Sequence, residues 1–151
     1  MKLLKNKGFT LIELLIVIGI IAILAAVVIV ALNPTQQFGN AADAQRSANV
    51  NTILNGVGQY MVDNKGKIPA SITTTSTEVC KTGGVCTGLI DLGVLTASEK
   101  YLVSMPLDPG CVGGSCTTNG TGYFIRKTAN GRIEVKAPDA FCGTTCIIVT
   151  R

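Results

Sequence analysis

Leu14-Leu15-Ile16-Val17-Ile18-Gly19-Ile20-Ile21-Ala22-Ile23-Leu24-Ala25-Ala26-Val27-Val28-Ile29-Val30-Ala31-Leu32 is a run of nineteen uncharged residues, interrupted only by Gly19. At the rise of an α-helix it spans roughly 28 Å, about the thickness of a bilayer core. A secretory signal peptide has a shorter apolar region, about 7–15 residues, and ends in a small-x-small cut. No A-x-A occurs in this run or just after it. The run therefore reads as a spanning helix. Lys2, Lys5 and Lys7 precede it, which holds the N-terminus on the cytoplasmic side and sends the remainder outward.

The rest of the composition narrows the function. A chain of 151 residues suits one domain. With 47% apolar and 15% charged residues it is no disordered chain. A net charge of +4, from 13 basic and 9 acidic side chains, excludes nucleic-acid binding driven by bulk charge. Histidine is absent, which removes the commonest general base and metal ligand at neutral pH. The sequence points to no catalytic residue, no cofactor and no metal site, and it reads as a non-enzyme.

Glu13 does not fit a plain anchor. It sits between Ile12 and Leu14, inside an apolar stretch that begins at Phe9. A carboxylate at the centre of a spanning helix costs about 2.5–3.5 kcal/mol, and less near the end, where it can snorkel. Upstream stands a basic octet, Met1 to Gly8, which leads into Gly8-Phe9-Thr10-Leu11-Ile12-Glu13-Leu14-Leu15-Ile16-Val17-Ile18.

This segment resembles the processing site of bacterial type IV pilins and the related pseudopilins. The resemblance implies cleavage after Gly8 by a prepilin peptidase and N-methylation of the new terminus at Phe9. Glu13 then becomes the fifth residue of the mature chain, the position that family keeps acidic. It also implies an α+β fold, in which one long N-terminal helix packs its outer half on a small antiparallel sheet. The implied partners are further copies of the chain, related minor pilins, the peptidase/methyltransferase, an assembly platform with its ATPase, and membrane lipid before assembly. Independently of the family, cutting at Gly8 creates an amine at Phe9 about one helical turn from Glu13. In a low-dielectric surrounding both charges are unfavourable unless paired, so a neighbouring copy's amine on Glu13 would favour one register between helices.

Beyond the span, Asn33-Pro34 marks a break, because a residue before proline is pushed away from α geometry. Gly39 weakens the helix that follows. Val50, Ile53, Leu54, Val57, Tyr60 and Met61 recur at the spacing of one helical face, with Asp43, Arg46, Asn49, Asn51, Asn55 and Asp63 in the polar remainder. Asn64, Gly66 and Pro69 supply stop signals. The expected division is a leader at 1–8, an apolar helix at 9–33, an amphipathic helix at 34–66 and an exported globular part at 67–151. Ser71 to Thr77 reads as a Ser/Thr-rich loop.

The second half reads as strands and turns. Tyr123–Lys127 and Arg132–Lys136 flank Asn130-Gly131. A two-residue loop would set Ile125 opposite Lys136. A three-residue loop, Ala129-Asn130-Gly131 with Gly131 left-handed, sets Ile125 opposite Val135 and Arg126 opposite Glu134, separating an apolar face from a charged one. The longer loop is therefore expected. Tyr101-Leu102 through Pro106-Leu107-Asp108-Pro109 also resembles a segment found in many pseudopilins.

Six cysteines, Cys80, Cys86, Cys111, Cys116, Cys142 and Cys146, all fall in the part expected outside. An even count in an exported domain reads as disulfides rather than zinc, since CxxC and histidine are both absent. Of 15 possible pairings, neighbours are favoured: Cys80–Cys86, Cys111–Cys116 and Cys142–Cys146. Gly83-Gly84 and Gly113-Gly114 place turns in the first two loops. Asp91, Asp108 and Asp139 are scattered and form no calcium loop. Asn119-Gly120-Thr121 matches a glycosylation sequon, but a plain turn accounts for it.

The span contains no proline and the cysteines form short pairs, both unlike common retractile pilins. The expectation is a structural filament subunit, a type IV pilin, with a pseudopilin or minor pilin of a secretion or DNA-uptake machine as the alternative. Another class of reading is a single-pass protein whose exported domain binds a ligand or DNA through Lys65, Lys67, Arg126, Lys127, Arg132 and Lys136. A solvated charged face accounts for those cations more simply. The expected location is the cytoplasmic membrane for the precursor, followed by an extracellular or periplasmic filament.

Overall fold

The computed structural model describes residues 8–31, 33–113 and 116–151. The leader lysines, Leu32 and Gly114 therefore lie outside the described residues. The chain divides into two compact units, one ending at Phe38 and the other running Gly39–Arg151.

In the first unit the apolar run forms helix α1, Leu11–Ala31, with every side chain exposed. Its mean hydropathy of 3.4 and 21 residues make it long and apolar enough to cross a membrane. The break comes where Asn33-Pro34 places it. Asn33 is left-handed, with φ of 39°, and its carbonyl accepts from the Gln36 and Gln37 N–H groups at 3.1 and 3.4 Å. Pro34 opens helix α2, Pro34–Asp63, in the position where a missing N–H costs nothing. Gly39 does not interrupt this helix.

The rest of α2 belongs to the second unit. It buries Val50, Ile53, Leu54 and Val57, with Tyr60 and Met61 partly buried beside them. It ends at Asp63, before the expected residue 66, because Lys65 and Gly66 are both left-handed and the Gly66 N–H reaches back to the Met61 carbonyl at 2.8 Å.

The sheet has four strands in sequence order: β1 Thr77–Cys80, β2 Gly120–Lys127, β3 Ile133–Lys136 and β4 Ile148–Thr150. All pairs are antiparallel. In the β2–β3 hairpin Ile125 faces Val135 and Arg126 faces Glu134, with Gly131 at φ of 78°. The three-residue loop is therefore the observed one. Arg126 forms a bidentate pair with Glu134 at 2.7 and 2.9 Å.

Two strands were not expected. β1 starts at the last residue of the Ser/Thr-rich stretch, and β4 is only three residues long. A short helix α3, Gly93–Thr96, and two 3₁₀ turns, Ala97–Glu99 and Pro109–Gly113, fill the long β1–β2 connection. The core brings the α2 stripe together with Tyr123, Ile125, Ile133 and Val135, and with Ile90, Leu92 and Leu95 from the connection.

Candidate functional site

The N-terminal candidates gather at the start of α1. Gly8, Phe9 and Thr10 precede the helix in irregular backbone, and Phe9 is 88% exposed. Thr10 and Glu13 bond reciprocally. The Glu13 carboxylate accepts from the Thr10 N–H at 2.8 Å and from its hydroxyl at 2.7 Å, while the Glu13 N–H donates to Thr10 Oγ1 at 3.2 Å. This is a capping box, Thr at the N-cap and Glu at the third helical position, and it satisfies N–H groups that the first turn leaves unpaired. The pattern T-x-x-E before an apolar run announces it, a signal that treating Glu13 as a charge alone misses. At this position a carboxylate is aligned with the helix start and remains exposed to any cation brought against α1.

A second arrangement lies wholly in the Gly39–Arg151 unit. Arg46, placed by sequence among solvated polar residues, is only 6% exposed, and Asp108 is 1% exposed. The Arg46 guanidinium donates to both Asp108 oxygens, at 2.7 and 2.9 Å. Its remaining fork reaches Asp43 Oδ1 at 2.9 Å. Asp43 in turn accepts the N–H groups of Phe141 and Cys142 at 2.8 and 2.9 Å. Burial opposes the charge on Asp43, but those two N–H groups and Arg46 outweigh it and hold the carboxyl below its usual range. Donation to the Asp108 carboxylate raises Arg46 above its usual range, against desolvation. Phe141 lies so close over Gly39 that a β-carbon there would fall 2.5 Å from its ring. Gly39, Asp43 and Arg46, one helical turn apart, therefore receive the C-terminal loop and the Pro106–Pro109 segment. Nearby, Asn49 donates to the Tyr123 hydroxyl at 2.8 Å, and burial pushes that phenol up to about 12.

The cysteines pair as neighbours in the structure: Cys80 with Cys86, Cys111 with Cys116, and Cys142 with Cys146. Such short loops stiffen turns and add modest stability. Asp43 lies near the sulfurs of Cys142 and Cys146. Those sulfurs are bonded to each other and the Asp43 oxygens already accept three donors, so this trio does not suit a cation. Glu78, buried in β1, accepts the Gly122 N–H and the Thr117 hydroxyl, each at 2.8 Å, and ties the Cys111–Cys116 loop to the sheet. Alkylation of the native protein without reductant should label no cysteine, and peptide mapping should recover the three neighbour pairs. Crossed connectivity would overturn the pairing.

Of the cations named for DNA contact, Arg126 is paired with Glu134 and the Lys136 ammonium lies 5.7 Å from the Phe124 ring centroid. Lys65, Lys67 and Arg132 are exposed. In the sequon, Thr121 is fully buried and its hydroxyl donates to the Val79 carbonyl at 3.0 Å.

Residues 3–29 match the prokaryotic N-terminal methylation motif, the signature of type IV pilin and pseudopilin precursors. A long apolar N-terminal helix followed by a small antiparallel sheet is a type IV pilin-like α+β arrangement. No curated protein and no solved structure matches the chain.

Proposed function

We propose that the chain is the structural subunit of a type IV pilus or pilus-like filament. It is made as a membrane-anchored prepilin with its N-terminus inside, cleaved after Gly8, N-methylated at Phe9 and polymerised through α1. The observation that carries this reading is the methylation motif running into a fully exposed apolar helix with Glu13 in its first turn. A helix of this kind has two apolar surroundings available, lipid before assembly and identical helices afterwards. Glu13 then accepts the Phe9 amine of an incoming copy, which sets the axial register. Peptidase/methyltransferase, assembly platform and ATPase are the partners this route requires, with related minor pilins alongside. The same route serves a secretion pseudopilus.

Processing is directly testable. Gly8→Val should leave an uncut precursor in the membrane, because a branched side chain crowds the peptidase site. Apart from its chain neighbours, nothing among the described residues lies within 4 Å of a β-carbon at Gly8, so the substitution meets open space. Wild-type fibres should contain a chain starting at Phe9 and heavier by one methyl group. An N-terminus still at Met1 in assembled material overturns the reading.

A further inference from the structure

One flank of α2 in the Gly39–Arg151 unit carries an open groove of about 700 Å³, with Leu54, Val57, Met61, Val62 and Ile133 as its apolar lining. Val62 is 81% exposed. The acids beside the groove, Asp63 and Glu134, are already paired with Lys100 and Arg126, which leaves cations as its unpaired charges. Arg151 lines it and donates to the neutral amide oxygens of Asn55 and Asn51. Lys65 and Lys67 flank the lining residue Gly66, and Arg132 precedes Ile133. All four cations are exposed, and none forms a side-chain ion pair among the described residues.

The opposite flank of α2 is different. There Leu102 lies against Gly56, the Tyr101 ring meets Tyr60 edge-on and Lys100 pairs with Asp63. At about 100° per residue, positions 56, 60 and 63 share this flank, while 51, 55, 58 and 62 share the groove side. The stretch 91–103 that supplies these contacts exposes Val94 and Val103, at 47% and 72%. It also exposes Asp91 and Glu99, neither ion-paired among the described residues. Ser98 and Glu99 are both left-handed, with φ of 54° and 55°, a costly conformation for consecutive non-glycine residues.

One molecule thus carries an apolar groove with exposed cations on and beside its lining residues and, on a stretch against the other flank of the same helix, exposed valines and carboxylates. Two different complementary patches make a head-to-tail contact, which propagates instead of closing on itself in a two-fold dimer. We propose that the 91–103 stretch of one copy seats in the α2 groove of the next. Val94 and Val103 meet the apolar lining, and Asp91 and Glu99 face Lys65, Lys67, Arg132 and Arg151. This rests on the filament reading and names a contact between globular units within it.

The test uses full-length chains in producing cells. Lys65→Glu with Lys67→Glu in one copy, and Glu99→Lys in another, should each lower sheared-fibre yield about tenfold at normal membrane abundance, because like charges then face each other. Expressing both variants together should restore the yield, since each groove then finds a complementary stretch. Gly58 has open space for a side chain. Copies with Gly58→Cys, mixed with copies carrying Val94→Cys, should therefore give a disulfide-linked dimer that neither gives alone. Normal yield from either charge variant, loss without rescue, or no mixed dimer overturns the inference while the filament reading stands. Loss without rescue would direct attention to a nucleic acid or another anionic partner for the groove. Absence of fibres from the wild-type chain overturns the filament reading, and this contact with it.

Discussion

Glu13→Val should leave the chain abundant in the membrane, still cleaved after Gly8, and yield few or no fibres. In the proposed polymer the substitution strands each incoming Phe9 amine in an apolar surrounding. Removing one partner of a buried pair costs about 3–5 kcal/mol, and the loss recurs at every contact of a growing fibre. The capping box gives Glu13 a second role, since its carboxylate also holds the Thr10 N–H and hydroxyl. Losing a cap costs about 0.5–2 kcal/mol. Glu13→Gln separates the two, because an amide oxygen still accepts from the Thr10 N–H but carries no charge. If both variants lack fibres, the charge is what assembly needs. If Gln restores them, the cap is. The measurement is sheared-fibre yield against membrane abundance, with no wild-type copy present. Normal fibres from Glu13→Val would return this residue to a boundary carboxylate of no consequence for assembly.

Asp108→Ala should be the most damaging single change in the Gly39–Arg151 unit. Arg46 would lose its bidentate partner while remaining buried, with only Asp43 left to meet its charge. Removing one partner of a buried pair costs about 3–5 kcal/mol, a large share of the total stability of a small domain. Urea denaturation of the detergent-solubilised chain should show the midpoint falling steeply. Arg46→Met combined with Asp108→Leu should recover much of the loss, because an apolar pair of similar volume removes both desolvation costs. A shift below about 1 kcal/mol for Asp108→Ala would place the pair among ordinary surface contacts.

Some of this architecture is legible in the residues themselves. The hairpin loop length follows from asking which register puts Ile125 on Val135 and Arg126 on Glu134, and both pairs are observed. The helix break follows from Asn33-Pro34. β4 left no such trace, because three residues are too few for alternation. Its order comes from paired backbone bonds between Ile133 and Arg151 and from the Ala137–Ile147 contact. β1 was hidden by a buried glutamate, which reads as solvated until Gly122 and Thr117 are seen to satisfy it.

Arg46 was misplaced for a different reason. Positions 46, 50, 53 and 57 share one helical face, so a cation there should have prompted the search for a buried anion. Sequence could not say which aspartate, since Asp108 lies 62 residues away. Gly39 reads in the sequence as a weak point in a helix, whereas its missing side chain is what admits Phe141.

The three disulfides join cysteines only 6, 5 and 4 positions apart. In the proposed orientation, with the chain threaded outward behind its N-terminal helix, that spacing favours local over distant pairing. Loops of this size close in about 10–100 ns, whereas the sulfur–sulfur bond itself forms over seconds to hours and needs an external oxidant. While the oxidant acts, each sulfur meets its near neighbour far more often than a distant competitor, because a short loop costs less entropy to close. The strands follow the same preference, since β1, β2, β3 and β4 pair in the order in which they appear. With every disulfide local and every strand paired to its sequence neighbour, few long-range pairs are left for an isomerase to undo.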